Sequence, residues 1–193
     1  MAWGVFNEIG RKIIHITILV VLLIYNIIQG GYGKQLALLF LVALLIIFLM
    51  LEYFRLELDW RMPFFSQFIR PKEQNRMYGV IYFLSATIIS LAVFDYKIAL
   101  AALLMTTFGD MIAALVGKKY GTTLIYRNKT WAGFLAELGT NLIVGFLILD
   151  SIYVILGMAL AATIVETLVD ELDDNLMIPI FSGFVGQIIL FSL

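Results

Sequence analysis

The strongest constraint on this chain is a succession of long, nearly uncharged apolar runs. They fall at residues 13–28, 35–51, 78–94, 98–116, 134–149, 152–169 and 176–191. A membrane-spanning helix needs about 20 mostly apolar residues, and somewhat shorter runs serve where the bilayer thins around them. The runs therefore predict an all-α, polytopic transmembrane helical bundle of about seven spans, forming a single domain over 1–193. Composition agrees: 62% of the residues are hydrophobic and 14% are charged. A soluble domain is roughly half apolar and about a quarter charged. One water-soluble core cannot hide this much apolar surface, so most of the solvent must be lipid.

Arg11 and Lys12 precede the first run and imitate a signal peptide. No clear small-x-small cleavage site follows, and more apolar runs do, so the run reads as a retained first span. The connections 29–34 and 95–97 are very short, as is the turn at Asp150 and Ser151, whereas 52–77 and 117–133 are long and polar. Lys and Arg concentrate on the cytoplasmic side of membranes. With the N-terminus in the cytoplasm, the inside holds Arg11, Lys12, Arg55, Arg61, Arg70, Lys72, Arg76, Lys118, Lys119, Arg127 and Lys129, and the outside only Lys34 and Lys97. This predicts the N-terminus inside and the C-terminus outside, with every long polar loop cytoplasmic. Asn128-Lys129-Thr130 matches a glycosylation acceptor but lies on the wrong side for it.

Several chemistries are excluded. Without cysteine there are no disulfides, no thiolate nucleophile and no Cys-based zinc site. A single histidine, His15, excludes sites that need two imidazoles. The net charge of −1 offers nothing to nucleic acid. The missing cysteines lean towards a prokaryotic plasma membrane over the endoplasmic reticulum. Membrane lipids are the evident partners, and a homodimer is compatible with such a bundle.

The polar residues inside the runs carry the chemistry. Asp110 follows Gly109 deep in an apolar stretch, where a carboxylate is costly unless it meets a cavity, a cation or a partner. Gly117, Lys118, Lys119 and Gly121 come next, then Lys129, Thr130 and Gly133. Glycines let backbone approach a phosphate, hydroxyls donate to it and lysines neutralise it, while an upstream acid suits the magnesium of a nucleotide. The pattern is not GxxxxGK[ST]. The competing reading is a positive loop that only sets topology. Glu137 and Asn141 continue the face of Gly133 at helical spacing, as interhelical glue first and site lining second. Glu166 lies within the sixth run, before the acidic stretch Asp170, Glu171, Asp173, Asp174 and then Asn175. Arg11, Lys12 and His15 share a helix face at the first span's entry. Glu52 and Arg55 read as a helix-end anchor, and 61–76 as an amphipathic interfacial segment or a cover for a lipid pocket.

In order, these residues resemble the CTP-dependent polyprenol kinases: dolichol kinase and the related phytol and farnesol kinases. Glu8 to Ile16 is similar to their E-x-x-RK-x-x-H segment. Gly109-Asp110-Met111-Ile112-Ala113 with Gly117 and Gly121 is similar to GD-x-x-A…G-x-x-x-G, and Lys129 to Gly133 to K-[ST]-x-x-G. Glu166, Asp174-Asn175 and Pro179 are similar to the E…DN…P ending. The resemblance implies transfer of the γ-phosphate of CTP to the hydroxyl of a long-chain isoprenoid alcohol (dolichol or polyprenol, or a phytol- or geranylgeraniol-like alcohol), with Mg2+. It implies that Asp110 holds metal or orients nucleotide. Gly109, Gly117, Lys118, Gly121, Lys129, Thr130 and Gly133 would bind nucleotide. Glu166, Asp174 and Asn175 would complete the metal or hydroxyl site, with Asp174 a second metal ligand. Arg11, Lys12, His15 and Glu137 are secondary candidates, Glu137 standing where the family pattern suggests small residues. Two rivals remain. A CTP-dependent lipid-phosphate cytidylyltransferase would make a CDP-lipid, but that family's C-terminal signatures are missing. A small ion-coupled transporter would use Asp110 and Glu166 as ion residues, yet the ionisable groups gather on one side.

Overall fold

The computed structural model describes residues 5–57, 77–169 and 172–193, residues 5–18 as backbone alone. The segment 61–76, together with Asp170 and Glu171, lies outside the described residues. Among the described residues, each apolar run lies along a helical rod. The rods are α1 (Val5–Tyr32), α2 (Lys34–Glu57), α3 (Gly79–Val93), a compound rod from Tyr96 to Tyr120, α6 (Trp131–Ile148), α7 (Ile152–Leu168) and α8 (Asp174–Ser192). The compound rod consists of α4 (Tyr96–Leu104), a π-helical turn Met105–Gly109 and α5 (Asp110–Tyr120). Among the described residues, four rods, Lys34–Glu57, Tyr96–Tyr120, Trp131–Ile148 and Asp174–Ser192, are long and apolar enough to cross a membrane, while Gly79–Val93, Ile152–Leu168 and the Leu19–Tyr32 part of α1 are shorter apolar stretches. The chain is an all-α membrane bundle with one small addition. A hairpin of β1 (Leu124–Tyr126) and β2 (Lys129–Thr130) stands between α5 and α6.

The chain divides into two compact units between Ile88 and Ile89. In the first, α1 and α2 pack together around Leu22, Tyr25, Ala37 and Leu41. Only Gly33, at φ 90°, separates the two helices, a conformation that glycine adopts without steric penalty. Glu52 is buried near the end of α2. Arg55 Nε and Nη2 donate to its Oε2 and Oε1 at 2.9 and 2.6 Å, and the Tyr78 N–H donates to Oε1 at 3.0 Å. The Arg55 guanidinium also lies 4.0 Å from the Tyr78 ring centroid. The pair is the expected helix-end anchor, and it ties the end of α2 to the residue that precedes α3.

In the second unit, the compound rod, α6, α7 and α8 pack in sequence. Lipid offers no hydrophobic drive between helices, so close backbone approach and polar contacts hold them. Gly186 is such an approach: a Cβ there would meet Met158 of α7 and Ile98 of α4. At one end of the unit, Gln187 Oε1 accepts the Asp95 N–H at 2.8 Å while its Nε2 donates to Asp95 Oδ2 at 2.9 Å. Lys97 pairs with Asp150 at the same end, at 2.6 Å. This accounts for three of the few ionisable groups expected outside. The opposite end holds the C-termini of α5 and α7 and the N-termini of α6 and α8, and there the motif residues collect.

Candidate nucleotide and lipid site

The site is built on the junction of α5, the hairpin and α6. Lys118 and Lys119 occupy the last turn of α5, where positive side chains suit the negative end of the helix dipole. The stretch read as a glycine-basic loop is therefore helical as far as Tyr120, and its lysines are exposed. Tyr126 pairs with Lys129, so Arg127 and Asn128 make the hairpin turn, with Arg127 at φ 46°. The antiparallel pairing carries Lys129 and Thr130 back beside α5. Thr130 then serves as the N-cap of α6, its Oγ1 accepting the Gly133 N–H at 3.2 Å. Trp131, at the first turn of α6, is half exposed and stacks edge-on with Phe134 at 5.9 Å, as interfacial aromatics do.

The motif glycines form one helix joint. A Cβ on Gly133 would lie 3.1 Å from the Ala113 carbonyl and 3.5 Å from Gly117 Cα, and one on Gly117 would lie 3.1 Å from Thr130 Oγ1. A Cβ on Gly121 would collide with the Gly117 carbonyl and the Thr130 side chain. The glycine spacing thus satisfies contact between α5 and α6, whatever it does for a phosphate. Thr130→Val is expected to lower stability by about 1 kcal/mol through loss of the cap, whereas Thr130→Ser keeps it. Thermal unfolding of the two variants in detergent checks this.

Behind the joint lies a charged cluster. Lys129 forms an ion pair with Glu166 of α7, which is buried. Burial acts to lower the Lys129 pKa. The Glu166 carboxylate outweighs it by charge and hydrogen bond, with Asp110 and Asp174 adding their fields, so the amine is held above the ordinary lysine value. An amine so raised gives stability that is complete below the ordinary lysine value and is lost only as pH climbs through the raised one. Lys129 is therefore charged throughout the physiological range. Glu137 lies within the fields of Glu166, Asp110 and Lys129.

Gly109 is buried because α6 presses on it: a Cβ there would come 2.5 Å from Asn141 Oδ1 and 3.2 Å from Glu137 Cγ. Asp110 follows directly, half-buried at the start of α5. Asn141 Nδ2 donates to Thr163 Oγ1 at 3.1 Å, which is the interhelical glue expected of that face. At the start of α8, Asp173 is the N-cap, its Oδ1 accepting the Asn175 N–H at 3.0 Å and Nδ2 at 2.8 Å. Asn175 is thus committed to the helix start, while Asp174 faces the field of Lys129. Pro179 has no N–H to give the Asn175 carbonyl. Asp173 was not singled out from the sequence, although the order Asp-Asp-Asn before an apolar run is an N-cap signal. The side chains of Arg11, Lys12 and His15 lie outside the description, and α1 carries all three. Among the described residues, no three acidic or imidazole groups form a ready-made metal cage.

Fold and site together define a polytopic α-helical membrane protein with a lysine-centred acidic cluster at one end. The chain is 31% identical over 148 residues to the CTP-dependent diacylglycerol kinase 1 of Saccharomyces cerevisiae, covering 71% of this chain and 49% of that protein. It is 31% identical over 141 residues to a probable chloroplastic phytol kinase of Zea mays, covering 63% of this chain and 46% of that protein. The chain spans about half the length of the curated relatives it matches. No protein-family model matches it. No solved structure matches it either. These relatives support the CTP-dependent lipid kinase family that the chain's motifs resemble.

Proposed function

We propose that this protein is a CTP-dependent lipid kinase working at the cytoplasmic face of a seven-span bundle, N-terminus inside and C-terminus outside, in a prokaryotic plasma membrane. The observation that carries the reading is the convergence on Lys129 of Glu166, Asp110 and Asp174, from three separate helices. A lysine held charged among carboxylates, beside the N-terminus of α6, suits a nucleotide's phosphates with their cation. Lys129 would exchange Glu166 for phosphate oxygens, with Lys118 and the Thr130 hydroxyl nearby. The joint of Gly117, Gly121 and Gly133 holds these groups together, Gly109 seats Asp110 against α6, and Asn175 fixes Asp174 at the start of α8.

In this reading the alcohol oxygen attacks the γ-phosphorus of CTP. The bond from that phosphorus to the β,γ-bridging oxygen breaks, CDP leaves, and the hydroxyl proton passes to a carboxylate of the cluster. The donor set of Asp110 and Asp174 is hard oxygen, which fits Mg2+, an ion bound through one or two carboxylates plus substrate phosphates. Bound there, Mg2+ supplies neutralisation of phosphate charge.

The acceptor is a lipid hydroxyl, and a long-chain isoprenoid alcohol is the first choice. Diacylglycerol joins it because a relative is named for that substrate. The test uses purified protein, Mg2+ and γ-labelled CTP with polyprenol, phytol and diacylglycerol in turn. Label is expected in the lipid phase with release of CDP, and Asp110→Asn is expected to reduce transfer at least about a hundredfold. Pyrophosphate release in place of CDP would favour the cytidylyltransferase. No turnover of any nucleotide by folded protein would favour transport.

A further inference from the structure

Among the described residues, no donor group reaches three buried oxygens on α6: Glu137 Oε1, Glu137 Oε2 and Asn141 Oδ1. Their side chains are 1% and 0% exposed. Orphaned carboxylate oxygens at such burial are costly, more so at membrane depth. The orientation of the amide follows from its neighbour. Thr163 Oγ1 gives its proton to the Ala159 carbonyl at 2.9 Å, so it can only accept from Asn141. The amide nitrogen therefore faces Thr163, and Oδ1 is the atom turned towards Gly109.

The two side chains meet at one place. The position of a Cβ on Gly109 is 2.5 Å from Asn141 Oδ1 and 3.2 Å from Glu137 Cγ. The Glu137 carboxyl is buried against the carboxyl of Glu166 and within the field of Asp110, and the Lys129 ammonium that attracts it is already paired with Glu166.

We propose that Glu137 and Asn141 hold a divalent cation between α6 and the π-turn, ligated by the Glu137 carboxylate and the Asn141 amide oxygen. All three donors are hard oxygens of the kind Mg2+ prefers, and that ion completes its shell with water and phosphate, so no three-acid cage is required. The proposal deepens the kinase reading and rests on it only for the cation's use in the reaction. Binding itself requires no nucleotide.

The experiment titrates Mn2+, as a stand-in for Mg2+, into the nucleotide-free full chain in detergent and follows the electron paramagnetic resonance of free Mn2+. The wild type is expected to withdraw about one equivalent that Mg2+ displaces. Glu137→Gln is expected to weaken that binding at least about tenfold, since loss of even an outer-shell partner does as much. Glu137→Asp keeps the charge and should fall between them, which preserves the test if the glutamine variant does not fold. An isotherm unchanged in both variants, or no tight equivalent in the wild type, overturns the site; the second outcome would make Glu137 a proton-bearing acid. Label transfer is scored separately. A kinase whose Mn2+ isotherm ignores Glu137 sinks only the cation site, whereas Mn2+ held through Glu137 in a protein that transfers no phosphate sinks only the kinase reading.

Discussion

Lys129→Met is expected to destabilise the protein by about 3 kcal/mol and to abolish phosphotransfer, while adding Glu166→Gln restores stability alone. Removing one member of a buried ion pair strands the other, which typically costs about 3–5 kcal/mol. The lower end applies because the Lys129 side chain is 34% exposed and partly screened, against 6% for Glu166. Glu166 would be left buried without its counter-charge. Glutamine at 166 removes that stranded charge, so the double variant should unfold near the wild-type midpoint. It would still lack the ammonium that the proposed site needs for phosphate. A double-mutant cycle of unfolding midpoints, run beside label transfer from CTP, separates the two roles. If the double variant regains activity, Lys129 serves only to pair Glu166.

Gly133→Leu carries the second large effect. A Cβ at Gly133 already meets backbone, the Ala113 carbonyl at 3.1 Å and Gly117 Cα at 3.5 Å. Backbone cannot rotate aside as a side chain can, so α5 and α6 must separate. Overpacking of this kind costs about 1–3 kcal/mol and more when the contact is backbone. Separation also loosens the Thr130 cap and the seat of Lys129. Gly139→Leu, six residues along the same helix, is the matched control, since a Cβ there meets nothing within 4 Å. Size-exclusion profiles and thermal midpoints in detergent should show Gly133→Leu depleted or unfolded and Gly139→Leu near wild type. A folded Gly133→Leu protein with only a raised KM for CTP would return that glycine to the phosphate.

The rods were legible because apolar runs of spanning length have few other solutions, and each run lies along one described rod. Their ends were less so. The fifth rod was read from residue 134 but begins at Trp131, because Thr130 caps it and hydropathy does not register caps. The hairpin escaped notice, since Leu124-Ile125-Tyr126 is too short a run to stand out and Arg127 is an unusual residue for positive φ. The motif glycines were ambiguous between a phosphate cradle and a packing joint. Spacing cannot choose between them, because both need backbone without a Cβ. The shared face of Glu137 and Asn141 was visible at intervals of four. That one amide hydrogen would reach Thr163 while no donor among the described residues reaches three oxygens depends on neighbours that only the packed bundle supplies.

The π-turn at Met105–Gly109 has a consequence best expressed as rotational phase. An α-helix advances about 100° per residue, so accommodating one extra residue in a widened turn rotates everything downstream by about that angle. Upstream, α4 buries Ile98, Ala99, Ala101, Ala102 and Leu103. Downstream, α5 begins with Asp110. The widened turn lets one continuous rod hold two azimuths, one set by packing in the apolar half and one by the carboxylate at the polar end. Polar placement at that end can therefore shift by single-residue insertion or deletion while the apolar half keeps its neighbours.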